Sequence, residues 1–231
     1  MKKIFFILFL FIYNTLIFSQ TDLLENILKE AERTYKNLNS YSAELTKIEL
    51  IGKTIRTQRS IIYRFRKPET IYIRLTEGKE KDTEAIWDPL SFGQNMYIKK
   101  PVGNSHLKLK MNPYFLVNIG QERHTLKESD IKYIILLVDD NLKLHQKTKE
   151  GKIIYEGEKI FDNCKVKVFK AEFPKNKGFY AGYITLFFDS ETSLPIRVEV
   201  FGFENEFWET YEYRKLKINP IFKNSDFEFK N

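Results

Sequence analysis

Thr70-Ile71-Tyr72-Ile73-Arg74-Leu75-Thr76-Glu77 alternates without a slip. Ile71, Ile73 and Leu75 fall on one face, and Tyr72, Arg74 and Thr76 on the other. A period of two with β-branched and aromatic residues is a half-buried strand, because successive side chains of an extended chain point to opposite sides. Pro68 stops whatever precedes it, since it has no N–H to give to a ladder.

The same period governs the chain on both sides. Upstream it predicts strands over Tyr41–Ile51 and Thr54–Arg66, joined by a turn at Gly52-Lys53. Downstream it predicts Glu84–Trp87, Asn95–Lys100 and His106–Met111, then Lys152–Phe161, Cys164–Phe173, Ala181–Phe188, Leu194–Phe203 and Phe207–Asn219. In the strand from His106, Leu107, Leu109 and Met111 share a face, with Lys108 and Lys110 opposite. The turns between strands are short, so the pairing is antiparallel.

Two stretches keep a helical period instead. Leu23, Leu24, Ile27, Leu28, Ala31, Tyr35 and Leu38 form one apolar stripe over Thr21–Leu38, with Thr21 as its cap. Ile131, Ile134, Ile135, Leu137, Val138 and Leu142 form a second, from Ser129 or Asp130 towards His145. Asn112 to Glu122 keeps neither period. About eleven strands in one antiparallel sheet must curl, and both helices need an apolar surface to cover. The fold class expected is therefore α+β: a strongly curved antiparallel sheet, an unclosed β-barrel, covered by helices.

The chain starts Met1-Lys2-Lys3, runs apolar from Ile4 to Tyr13 and again over Leu16-Ile17-Phe18, then reaches Ser19-Gln20-Thr21. That order of basic, apolar, small and polar residues reads as a secretory signal over residues 1–19, with one domain over 20–231. The apolar run is interrupted and short of the roughly 20 residues that span a bilayer, which sets the signal reading above an uncleaved anchor. An exported protein argues against cytosolic ATP chemistry and genomic DNA. No lipoprotein cysteine closes the signal, so a soluble product is expected. The single cysteine, Cys164, forms no internal disulfide and reads as a small buried hydrophobe. The net charge of +7 falls to +5 without Lys2 and Lys3, and its signs alternate along the strands, so it describes a solvated face.

At this point four segments resemble the LolA/LolB lipoprotein carriers and, more closely, an uncharacterised bacterial envelope family grouped with them. They are Tyr41-Ser42-Ala43-Glu44-Leu45-Thr46-Lys47 with Gly52, Phe65-Arg66-Lys67-Pro68-Glu69 through Arg74, and Arg123-His124-Thr125-Leu126. The fourth runs from Phe188-Asp189 and Leu194-Pro195-Ile196-Arg197-Val198 to Tyr211-Glu212-Tyr213, Leu216-Lys217-Ile218-Asn219 and Asp226-Phe227. The resemblance implies an open barrel with a helical lid over an apolar cavity. For the carriers it also implies shielding of lipoprotein acyl chains in the periplasm, and so a periplasmic location for this exported chain.

The chemistry of catalysis is sparse. His106, His124 and His145 share no metal-ligand spacing, and there is no nucleophile elbow, P-loop or dinucleotide fingerprint. No metal, cofactor or catalytic residue is expected, and no nucleic acid. Asp82 with Glu84, and Glu204 with Glu206, read as solvated strand charges. The expected ligand site is an apolar cavity lined by Ile71, Ile73, Leu75, Leu107, Leu109, Met111, Ile134, Leu137 and Val138, with Arg74, Arg123 and His124 at a polar mouth. Arg123-His124 reads better as an anchor for the start of the second helix than as a catalytic pair, and Arg74 reads first as a cross-strand ion pair. The function expected is a monomeric carrier for a lipid or the acyl chains of a lipoprotein, exchanging with a membrane-bound donor or acceptor. The alternative is an envelope interaction module with a solid core, and a hydrolase using His124 ranks third.

Overall fold

The computed structural model describes residues 19–93, 95–114 and 122–230. The signal reading and most of the irregular stretch after Met111 lie outside the described residues. Helix α1 (Gln20–Asn37) leads into strands β1 (Ser40–Ile51), β2 (Thr54–Arg66), β3 (Thr70–Arg74) and β4 (Glu84–Trp87). A single helical turn, α2 (Pro89–Phe92), precedes β5 (Met96–Val102) and β6 (Ser105–Met111). Helix α3 (Ile131–Thr148) then opens the second half, β7 (Lys152–Phe161), β8 (Cys164–Glu172), β9 (Tyr183–Asp189), β10 (Pro195–Phe201) and β11 (Phe207–Ile218).

All eleven strands form one antiparallel sheet in the order β6-β5-β4-β3-β2-β1-β11-β10-β9-β8-β7. The chain thus lays down two meanders and joins them by pairing β1 with β11, Leu45 opposite Tyr213 and Lys47 opposite Tyr211. Strands β6 and β7 remain the two edges, so the barrel is unclosed. Irregular register bends the long central strands. Between β1 and β2 it shifts between Leu45 and Lys47, where Ser60 takes a positive φ of 52°.

The inner face of the sheet, which carries α1 and α3, holds the main core. Tyr41, Leu45, Ile61, Tyr63, Phe65, Ile71 and Tyr213 meet Leu24, Leu28, Ile134 and Val138 there. Helix α1 is capped by Ser19, whose side chain accepts from Asp22 N while Asp22 returns the bond. The cap expected at Thr21 is displaced: Thr21 lies within the helix, with Oγ1 3.4 Å from His145 Nε2 on α3. Helix α3 runs to Thr148, beyond the expected stop at His145, and ends through Lys149 in the left-handed conformation. Gly151 follows at φ +87°, where an added Cβ would sit 2.6 Å from Glu172 O.

The outer face is not simply solvated. The C-terminal segment crosses β2–β4, and Phe227 seats against Tyr72 and Ile86 with Phe222 and Phe229 beside it. Beneath it Glu84 is buried, accepting from Tyr72 Oη at 2.7 Å and pairing with Lys99 Nζ at 3.4 Å. Cys164 departs from the reading as a buried hydrophobe. It follows the tight turn at Asp162-Asn163, both at positive φ, and its thiol is exposed.

Candidate ligand-binding site

Period two brings Ile71, Ile73 and Leu75 to the inner face, all buried in the main core, where Ile134 and Val138 of α3 are buried too. Leu137, Leu109 and Met111 pack half-buried against the same core. Leu107 does not join them. It pairs with Lys100 on the edge hairpin, past the reach of the helices, and is 48% exposed.

These rows fill the interior. The voids beneath α3 measure about 20 Å³ at Ile134, Leu137, Val198 and Val200, and about 10 Å³ at Val138, Leu142 and Ile184. Each is no larger than a water site. Among the described residues the apolar space that could receive a chain lies at one end of the groove. It is an open cleft of about 380 Å³ with Phe65, Ile71, Trp87, Tyr114, Tyr133 and Leu136 on its walls. Lys127 bridges its mouth, with Nζ 4.9 Å from the centre of the Trp87 ring and 5.3 Å from that of Tyr114. The Trp87 indole N–H is buried and finds no acceptor among the described residues. Of the nine expected lining residues only Ile71 reaches this cleft. Ile73, Leu75, Leu109 and Met111 lie on the inner face of the sheet, and Ile134, Leu137 and Val138 on the helix that covers it.

Arg74, expected at the mouth, lies on the outer face with Tyr72 and pairs with Asp82 at 2.7 Å. Its neighbour Ile73 faces inward, so alternation turns Arg74 away from the groove. Arg123 and His124 do reach the inner face, at the start of the segment leading to α3. Arg123 Nε donates to Glu209 Oε2 at 2.8 Å and stacks its guanidinium over Trp208. His124 Nε2 lies 2.9 Å from the same oxygen, and Tyr180 Oη donates to Glu209 Oε1 at 2.7 Å.

The cluster continues across the groove. Lys47 meets Glu122 at 3.2 Å and Glu49 at 3.8 Å, while Glu49 accepts from Tyr211 Oη and from the backbone N–H of Arg123. Burial pulls the His124 imidazolium down, but hydrogen bonds to Glu128 and Glu209 outweigh it and raise it to about 9. Glu128 is held down to about 2, chiefly by that bond to His124. For Glu209, burial acts upward and the His124, Tyr180 and Arg123 contacts carry it below the ordinary carboxylate range.

The cluster ties the segment before α3 to β1 and β11. The same segment ends in Asp130, which caps α3 and accepts from Tyr35 Oη at 2.5 Å and Tyr41 Oη at 2.8 Å. Sequence reading missed Lys47, Glu49 and Glu209. The signal was there: Tyr41, Ala43, Leu45, Lys47 and Glu49 share one parity of β1, so two charges stand on its buried face. Among the described residues no cluster of three or more His, Cys, Asp or Glu is placed to hold a metal ion. No described helix is long and apolar enough to cross a membrane.

A family profile for proteins of unknown function, DUF1571, matches residues 38–231. No curated protein matches the chain by sequence. Solved structures match it by fold. The lipoprotein LppX of Mycobacterium tuberculosis aligns at 11% identity over 87% of this chain and 97% of its own, with a TM-score of 0.50. A DUF1329 family protein from Desulfovibrio piger aligns at 11% identity over 88% and 96%, with a TM-score of 0.43. A LolA superfamily protein from Nitrosomonas europaea aligns at 8% identity over 88% and 96%, with a TM-score of 0.37. At such identities the likeness is one of fold.

Proposed function

We propose, from the premise that this chain belongs to the DUF1571 family of proteins of unknown function, that it is an exported, non-covalent binding protein for an amphiphile. The hydrocarbon chain of a lipid or lipoprotein enters the cleft beside Trp87. The observation that carries this reading is the cleft itself: about 380 Å³, walled mainly by aromatic and aliphatic side chains, with Glu69, Lys127, Glu128, Asp130 and Lys132 also lining it, and open to solvent. That volume lies in the range of small-molecule pockets. Each methylene taken from water into it contributes about 0.8 kcal/mol. Lys127 at the mouth supplies a cation for a carboxylate or phosphate at the head of the chain. Transfer needs no covalent step.

The test is titration of residues 19–231 with a fluorescent fatty acid, followed through Trp87 in a Trp208→Phe background. Native mass spectrometry of protein purified without detergent runs alongside. Leu136 is 47% exposed, so Leu136→Asp keeps the fold, and it should weaken the probe about tenfold. An apo mass throughout, with unchanged Trp87 emission at saturating probe, sinks the reading. The filled interior under α3 favours a second reading, an envelope interaction module. That outcome would appear as a stable protein complex insensitive to Leu136→Asp.

A further inference from the structure

The sheet has two edges, and they are finished differently. Strand β7 is blunted. The backbone N–H of Tyr155 already donates to Gln20 Oε1 at the start of α1, at 2.7 Å, and the register slips between Tyr155 and Gly157. Its charges are also paired: Glu156 holds Lys159 and Lys170, and Glu158 holds Lys165, each at 2.5 Å.

Strand β6 has none of these devices among the described residues. It runs seven residues in unbroken register with β5, from Ser105 opposite Val102 to Met111 opposite Met96. The two-residue turn at Gly103-Asn104 makes Val102 and Ser105 a hydrogen-bonded pair. By alternation, the N–H and C=O groups of His106, Lys108 and Lys110 then point away from β5. Pro101, which has no N–H to give, sits opposite His106 for the same reason.

The side chains of β6 sort by parity into two rows. Leu107, Leu109 and Met111 lie on the inner side, Leu107 exposed and the other two half-buried. His106, Lys108 and Lys110 lie on the outer side, all exposed. The charge of that outer row is one-sided. The residues opposite are Pro101, Lys99 and Tyr97, and none is acidic. Of the lysines on this hairpin, Lys99 pairs with Glu84 and Lys100 with Glu80, while Lys108 and Lys110 have no acidic partner among the described residues. Glu84 is buried and held besides by Tyr72 and the backbone N–H of Lys230. The C-terminal segment crossing the same face brings Glu228 but also Lys230, so the balance stays positive. Such an edge repels a second copy of itself, because β6 laid on β6 sets like charges side by side. It accepts a strand of opposite sign.

We propose that the β6 edge takes an extended segment of a partner protein as an added strand. Acidic side chains of one parity lie beside Lys108 and Lys110, and apolar ones of the other parity beside Leu107, Leu109 and Met111. Backbone pairing supplies affinity, and the two rows supply the choice of partner. No residue of β6 lines the cleft beside Trp87, so this inference and the cleft reading stand or fall separately.

Fluorescence anisotropy of a labelled peptide of alternating valine and glutamate, as long as β6, tests it on residues 19–231. The peptide should bind, less tightly as salt rises. Lys108→Glu combined with Lys110→Glu should weaken it about tenfold, since two favourable cross-strand pairs become repulsive. A valine–lysine peptide should bind this double variant better than the wild type. Both side chains are exposed, so the variant should keep its urea midpoint. A valine–glutamate peptide N-methylated along its pairing edge keeps the charge and loses the hydrogen bonds, and it should not bind. Failure of the parent peptide to bind, equal binding of the N-methylated one, or binding unchanged in the double variant overturns the added strand. Loss of the fatty-acid titration in a wild type that still binds the peptide breaks the cleft reading instead.

Discussion

The interior under α1 and α3 and the cleft beside Trp87 are two stretches of the same inner face, built from the same residue types. One is filled to voids of about 10–20 Å³ and the other stands open at about 380 Å³. The difference is cover. Helix α1 presents Leu24, Ile27, Leu28 and Ala31, and α3 presents Ile134, Ile135, Val138 and Leu142, to the main core, with α1 against β7 and α3 against β10. Beside β2–β4, α3 is only beginning, and its outward Leu136 leaves Phe65, Ile71 and Trp87 with a wall on one side. Apolar character therefore does not separate a core from a site. Whether a second layer reaches it does.

The largest expected effect lies in the filled region. Phe169 is fully buried there, so Phe169→Ala should cost about 3–5 kcal/mol in urea unfolding. A loss below about 1 kcal/mol would show that this interior is loosely packed.

The charged anchor comes next. His124 folds with its pKa raised from 6.5 to about 9. Its contribution is complete below pH 6.5 and is lost as pH rises through 9, on the order of 3 kcal/mol. Unfolding free energies measured from pH 6 to pH 10 should fall across that window. His124→Gln should flatten the fall, and an equally steep fall in the variant would assign it to other groups.

A smaller stability effect is expected at the cleft. Leu136→Asp should shift unfolding by less than about 0.5 kcal/mol, as exposed substitutions do. A loss of several kcal/mol would show the cleft to be part of the core. Smallest of all is Arg74→Ala on the outer face. Its pair with Asp82 is part-exposed, so about 0–1 kcal/mol should be lost, with fatty-acid binding unchanged. A drop in that binding would return Arg74 to the mouth.

Much of the fold was legible because strand parity is a local property. Ile71-Tyr72-Ile73-Arg74 names its own two faces, and the run from Tyr41 to Glu49 even marks where the buried face turns charged. The candidate site was less legible. Trp87 ends a four-residue strand, and Tyr114 and Leu136 come from a turn and from the solvent side of α3. No periodicity links three such positions. Leu107 was misplaced because parity gives a face but not the extent of its cover, and Cys164 because a strand's first residue follows its turn.

Side-chain spacing along single segments sets the strand and helix periods, the antiparallel sheet they require, and the inward sense of each row. Packing in three dimensions sets the rest: β1 pairs with β11, Glu209 comes to rest between Arg123 and His124, Phe227 covers the outer face, and the groove is filled under the helices and open beside Trp87. Those are contacts between residues far apart in the chain, fixed by how closely whole layers can pack.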